Sequence, residues 1–279
     1  MPSDPRWFQI VFLVSFLSFG VWFRGFQIGP AQLAATYAGG LLAQAFFLKR
    51  LGLERHGYKS AVVTCTGLCL LLRVEHWWLA FLLAAAAMSS KFLLRVRGRH
   101  LYNPANFGVV VGLLSGAAWV SPGQWGHDVI LAGWVALLGA AVVQRALRQD
   151  VSWAFIGCYL GLCALRVLWL GQRSAVLGHR LEDGGLLLFT FFMISDPMTI
   201  PSRRPARLLF AALTALLAFT IQFKLFRTNA LFYALFLLTP ASLLFDRFAG
   251  ELEYRWRTPS LGGPHEKPDP AGGALGAPA

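Results

Sequence analysis

The sequence predicts an all-α polytopic membrane protein: about ten transmembrane helices in a 5+5 inverted repeat, with two short or broken helices. Three observations carry that prediction. Apolar runs near twenty residues long recur from Trp7 almost to Phe248, in a chain that is 56% hydrophobic and only 14% charged. The basic residues gather in the short loops between those runs. Two runs are short for a bilayer, and they stand third and eighth in the order, which are equivalent places in two sets of five. A soluble chain of 279 residues would not carry so many long apolar runs.

Hydropathy and turn signals place the segments at 8–25, 31–48, 60–73, 77–95, 106–120, 128–147, 151–170, 185–199, 206–224 and 230–247. They form one membrane domain over 1–248, with repeat halves of about 1–125 and 126–248. The first segment runs directly into "FRGFQIGP" without a small-residue cleavage site, so it is expected to stay as a helix and not to be a cleaved signal peptide. The third is "SAVVTCTGLCLLL", Ser60–Leu72, and the eighth "GGLLLFTFFMI", Gly184–Ile194. An odd number of segments per half makes the halves run in opposite directions. Short segments at matching places then signal broken helices whose ends meet near the midplane and form a site. The alternative is that both are merely tilted or span a thinned bilayer. The final stretch, 249–279, is rich in Gly and Pro and poor in aliphatics, and is expected to be a disordered cytoplasmic tail.

Charge sets the orientation. Assigning the 25 Lys and Arg to alternate sides puts 18 on the side of both termini and 7 on the other. Both termini are therefore expected in the cytoplasm, with the protein in a bacterial-type cytoplasmic (inner) membrane. The net charge of +12 lies in short loops, so it reads as a topology signal and nucleic acid is excluded as a partner; the lipid bilayer is the expected one. Trp7, Trp22, Trp77, Trp78, Trp119, Trp125, Trp153 and Trp169 stand at segment ends, as an interfacial belt requires.

Two motifs interrupt the apolar pattern. In "FFMISDPMTIPSRRP", Phe191–Pro205, an aspartate and a proline close an apolar run. If the eighth segment ends inside the membrane, Ser195, Asp196 and Pro197 form its exit turn, and Asp196 faces protein or water. The rival reading pairs Asp196 with Arg203 or Arg204 at the surface. In "HLYNPANFG", His100–Gly108, Pro104 pushes Asn103 out of helical conformation, and Asn106 can cap a helix beginning at Phe107. Two amides, an aromatic ring and a glycine on one turn can also hold a planar heterocycle by edge hydrogen bonds and stacking. The candidate site is therefore Asn103, Pro104, Asn106, Phe107, Gly108, Ser195, Asp196 and Thr199. No metal site and no catalytic residue is assigned.

"RVRGRHLYNPANFGVVV", "FFMISDPMTIP" and their spacing resemble the Rnf-D membrane component of Rnf electron-transport complexes and the related NqrB component of the sodium-pumping NADH:quinone oxidoreductase. The UnbU-type Rnf-D-like proteins of enediyne biosynthesis clusters are more similar still, through stretches like "SPGQWG", "FFMISDP" and "FRTN". The resemblance covers roughly 5–248. It implies ten helices in an inverted repeat, a fold related to urea-type channels, and membership of a flavin-dependent redox system. Its members attach FMN to a threonine in a Ser-Gly-Ala-Thr stretch before the eighth segment. The corresponding loop here, "LGQRSAVLGHRLEDGG", Leu170–Gly185, has Ser174 and no threonine, so covalent FMN is not expected. A noncovalent flavin (FMN or riboflavin) or a quinone is the expected cofactor, and other membrane or redox subunits are the expected partners.

The remaining reactive residues add little. Cys65, Cys69, Cys158 and Cys163 all lie in apolar segments, where they read as small core residues; an iron–sulfur cluster is the alternative, and a disulfide framework is excluded. His56, His76, His100, His127 and His179 fall in loops or at segment ends, where they cannot act as paired axial ligands of a b-type haem; His265 is in the tail. His179, beside Arg173 and Arg180, reads as a solvated loop histidine, with contact to an anionic ligand as the alternative. Two function classes follow: an electron-relay subunit of an oxidoreductase complex, or a small-solute or ion transporter or channel with the same fold and no cofactor.

Overall fold

The computed structural model describes residues 5–23, 25–52, 57–96, 98–121, 133, 139–140, 149–181 and 184–249. The predicted sixth segment lies almost wholly outside the described residues, and so does the predicted tail beyond 249. In chain order the described elements are α1 (Pro5–Phe23), α2 (Pro30–Arg50), α3 (Lys59–Leu71), β1 (Leu72–Val74), α4 (Trp77–Leu93), β2 (Arg95–Val96), β3 (Arg99–His100), α5 (Pro104–Leu114) and β4 (Ala118–Val120). After the gap come α6 (Gln149–Trp169), α7 (Ala175–Leu181), α8 (Gly184–Leu188) with a π-helical turn Phe189–Met193, α9 (Arg204–Phe223), α10 (Ala230–Leu238) and α11 (Ser242–Ala249).

This is a mostly helical, multi-pass membrane protein. Among the described residues, five stretches are long and apolar enough to cross a bilayer: Arg6–Phe23, Pro30–Arg50, Gln149–Trp169, Arg204–Phe223 and Ala230–Arg247. Their outer faces carry Trp22, Phe46, Leu168, Leu209 and Leu237 uncovered, which water would penalise and lipid does not. Proline sets several starts. Pro30 and Pro104 stand in the first turn of α2 and α5, where a missing N–H costs no bond. Inside the last stretch, Pro240 breaks the α-helix into a 3₁₀ turn, Thr239–Ala241, between α10 and α11.

Both short segments stop early, each in its own way. The third ends as a helix at Leu71 and continues extended as β1. The fifth, predicted as helix to residue 120, ends at Leu114; Gly116, at φ +72°, reverses the chain into β4. β1 and β4 pair antiparallel, Leu72 with Val120 and Val74 with Ala118. Hydrocarbon offers no partner for an exposed backbone, so each stub completes the other's hydrogen bonds. The buried Arg73 guanidinium donates to Cys69 O and Leu72 O, both at 2.7 Å, and so caps carbonyls left at the end of α3.

The eighth segment, predicted over 185–199, is helical only to Met193. Its last turn widens: the Ile194 N–H bonds Phe189 O at 3.0 Å, one residue further back than an α-helix would. Ser152 on α6 donates to Thr190 O at 2.7 Å within that turn.

Close packing joins α2 to α4 and α6 to α9, while α5 meets α10 between the two groups. At Gly39 a Cβ would lie 2.2 Å from the Phe81 carbonyl oxygen, so α2 and α4 touch backbone to backbone. Phe16, Phe155, Phe189 and Phe210 are fully buried between the helices.

Candidate functional site

The site grows from a tight ribbon. β2 and β3 pair Arg95 with His100 and Val96 with Arg99, around a turn in which Gly98 takes φ +78°. The ribbon carries Arg99 and His100 to the exit of the π turn. Further along, Asn103 is extended (φ −62°, ψ 122°), as the following proline requires. Asn103 is therefore the N-cap of α5: its Oδ1 accepts the Asn106 N–H at 3.1 Å. This corrects the sequence expectation. The helix begins at Pro104 rather than Phe107, and Asn106 supplies the capped N–H instead of the capping side chain.

The other end of the same amide reaches Asp196. Asn103 Nδ2 donates to Asp196 Oδ2 at 3.1 Å, and His100 Nε2 lies 3.3 Å from that oxygen. Asp196 Oδ1 accepts the Met198 N–H at 3.1 Å. The carboxylate is thus held by groups 93 and 96 residues away and by its own turn, rather than by Arg203 or Arg204 as the rival reading had it. The turn is stitched further. Ser195 Oγ donates to Phe191 O at 2.6 Å, and the N–H and hydroxyl of Thr199 both donate to Asp196 O. Pro197 sits where no helical bond is lost.

Behind the turn stands Arg99. It donates to the carbonyl oxygens of Pro197, Met198 and Ile200, to Ser202 Oγ, and to Asp246 Oδ2 at 2.9 Å. Asp246 is buried and also accepts the Ser202 N–H at 2.7 Å. Arg207, paired with Asp150 at 2.7 Å, donates to Ser202 O from the other side. Four carbonyls of this loop are thus met by a guanidinium, which is what a non-helical segment within a membrane protein needs.

The turn forms one wall of a cavity of about 430 Å³. Asn103, Pro104, Ser195 and Asp196 line it, together with Leu188, Phe191, Phe192 and Met193 from the broken helix. α1 to α4 supply the opposite wall, with Arg6, Gln9, Leu13, Gln44, Ser60, Thr64 and Lys91. The structure does not bring the other predicted residues to this wall. Asn106 is buried behind it, its Nδ2 donating to Phe232 O at 3.2 Å on α10. Phe107 joins Tyr102 and Phe236 in an aromatic cluster. Gly108 lets α5 close onto Leu68 and Ala87, since a Cβ there would lie 3.0–3.1 Å from their side chains. Thr199 serves the turn. Gln44 and Lys91 were missed by sequence reasoning, although an amide in the middle of an apolar run is itself a signal.

Elsewhere, Cys65, Cys69 and Cys163 are buried and Cys158 is exposed; all four are free thiols. Among the described residues no group of three or more His, Cys, Asp and Glu side chains converges as metal ligands would. Ser174 lies exposed at the start of α7, and the side chain of His179 is outside the described residues.

The NQR2, RnfD, RnfE family model matches residues 112–255, from the last turn of α5 through α11. The chain belongs to that family. The match is narrower than the 5–248 read from the motifs, and it starts after "NPANFG". Relatives of this NQR2/RnfD/RnfE protein include the D-type subunit of the ion-translocating oxidoreductase complex of Escherichia coli O9:H4 (strain HS), 34% identical over 113 residues. The subunit of the same name from Shigella flexneri serotype 5b (strain 8401) is 36% identical over 112 residues. Each match covers 40% of this chain and 29% of the relative. The chain therefore spans less than a third of the length of these relatives.

Proposed function

We propose that this chain is an integral membrane subunit of a flavin- or quinone-linked electron-transport system, working beside other membrane or redox subunits. Family membership supports the class, and one observation carries the site. The π turn, the capping Asn103 and the Asp196 carboxylate close on a cavity whose lining mixes aromatic and aliphatic side chains with amides, basic groups and that carboxylate. A ring system can lie against Phe191 and Phe192, while the carboxylate accepts a ring N–H or hydroxyl. The absence of a threonine in the 170–185 loop favours a noncovalent cofactor.

The same reading includes the finer architecture. Two five-segment halves are supported by repeated packing, α2 against α4 and α4 against α5 in the first, α6 against α9 and α9 against α10 in the second. α3 and α8 with its π turn stand in matching places as short elements, and the sixth segment would complete the second half. Both termini would lie in the cytoplasm of a bacterial inner membrane, by the 18-to-7 distribution of basic residues. The likeness of "SPGQWG", "FFMISDP" and "FRTN" to UnbU-type stretches supports that branch of the family.

An absorption spectrum of the purified protein tests the function. Flavin or quinone bands near one per chain are the expected result. A colourless protein that conducts a small solute in liposomes overturns it and favours a transporter on the same fold.

A further inference from the structure

A second cavity, of about 420 Å³, lies at the other end of α4 from the Asp196 turn. The ribbon that carries Arg99 and His100 follows the last residues of α4, whereas this cavity is lined by its first residue, Trp77. The 17 residues of α4 separate the two ends by about 25 Å. The two cavities share no lining residue.

The paired stubs β1 and β4 order its side chains. One face of that pair, Leu72, Val74, Ala118 and Val120, packs into the core. The alternate residues point the other way, and there Trp119 stands opposite Arg73. The pairing runs one residue further, since the Glu75 N–H bonds Ala117 O at 3.1 Å. Glu75 is thus the diagonal neighbour of Trp119 on the outward face, a separation that an aromatic side chain bridges. His76 is still extended (φ −123°, ψ 134°), so Glu75 and Trp77 emerge on one side of the chain. His76 turns away and stacks on Trp78, with ring centroids 6.0 Å apart. Glu75, Trp77 and Trp119 all line the cavity, and His76 and Trp78 do not.

These three side chains are open. Trp77 and Trp119 are 60% and 50% exposed, and Glu75 is exposed as well. Among the described residues the Glu75 carboxylate has no hydrogen bond or ion pair. Arg73 shares the lining but is buried, its guanidinium turned back onto Cys69 O and Leu72 O, so the exposed charge of the cup is the carboxylate. We propose that this cup binds an organic ammonium group. The carboxylate attracts it by charge, and the two indoles offer the ring faces that hold a cation best. Two sources carry that group. One is the headgroup of an amine-bearing phospholipid, at the depth that tryptophans near segment ends mark; the other is a small free amine.

The experiment mixes the full chain, purified in a non-ionic detergent, with equal amounts of phosphatidylethanolamine, phosphatidylcholine and phosphatidylglycerol, and counts retained lipid by native mass spectrometry. Glu75→Gln, Trp77→Leu and Trp119→Leu should each lower retained amine lipid about two- to tenfold and leave retained phosphatidylglycerol unchanged. Glu75→Asp should keep most of the retention. Melting temperatures should stay near the wild type, because all three side chains are exposed. A second arm titrates choline chloride and follows tryptophan emission. Loss of amine lipid in the variants without a choline response makes the headgroup the occupant. Saturable choline binding that Glu75→Gln abolishes, without a lipid effect, makes a free amine the occupant. No response in either arm, or responses that Glu75→Gln leaves unchanged, overturns the ammonium site.

Discussion

Replacing Arg99 should expose how much of the site rests on one side chain. Arg99→Ala removes every donor that the 197–202 loop receives from the Arg99 side chain and takes away the cation paired with Asp246. Asp246 is 4% exposed, so its charge stays buried when the partner goes. Breaking a buried pair from one side costs about 3–5 kcal/mol. Arg99 itself is 19% exposed, so water can enter the vacated space and the cost falls near the lower end, about 3 kcal/mol. For a chain of this size that is a fall in melting temperature of about 6–12 °C. Thermal unfolding of the purified protein in one detergent, read by tryptophan emission, measures it. Arg99→Lys should recover only part of the loss, because an ammonium cannot reproduce a planar fork that serves carbonyls and a carboxylate at once. Asp246→Asn completes a double-mutant cycle with an expected coupling of about 1–3 kcal/mol. A melting temperature for Arg99→Ala within a degree or two of the wild type, or a coupling near zero, would mean that the loop holds its shape without the guanidinium.

Four further outcomes are expected. Asp196→Asn keeps the shape of the turn and removes its charge; bound cofactor or flux should be lost while the protein still inserts and melts near normally, and intact binding in both Asp196→Asn and Asp196→Ala would reduce the residue to a helix-end acid. Denatured protein run on a gel should show no flavin fluorescence, since the 170–185 loop lacks the threonine; a fluorescent band would mean Ser174 or another hydroxyl had become the attachment point. Reporter fusions at Gly52 and at Gly116 should report opposite sides of the membrane, and the same side would sink the topology. Gly39→Val should abolish accumulation of folded protein, because its Cβ would lie 2.2 Å from the Phe81 backbone oxygen, which no rotamer change can clear; normal expression and melting would show that α2 and α4 can separate.

Much of the architecture was legible because hydropathy is local. α2, α4, α6 and α9 fall within a few residues of their predicted segments, and the shortness of the third and eighth runs was visible as missing length. The extended stubs were not visible. "LLRV" and "AAWV" are as apolar as a helix end, and only their pairing across the whole of α4 and α5 makes them strands. The start of α5 was misplaced because two asparagines three apart both look like caps, and Pro104 decides between them by standing in the first turn. Asp196 stood out as an acid closing an apolar run, with a surface ion pair as its rival, but nothing local says that His100 and Asn103 hold it. Gln44 was passed over because the motif-rich stretches lie elsewhere, although an amide inside "LLAQAFF" carried the same information.

The ties across the middle of the chain have a mechanical consequence. His100 and Asn103 grip Asp196, Arg99 grips the 197–202 loop and Asp246, and Asn106 holds Phe232 O, so residues before 121 are bolted to residues after 149 at several points. A carrier that works by rocking one half against the other would have to shear these bonds in every cycle. An electron relay has no such need: tunnelling depends on fixed distances between redox groups, and a frame bolted across its middle keeps them fixed. The stitched turn that closes the cavity is thus also a rivet, and rigidity is what it supplies to the frame.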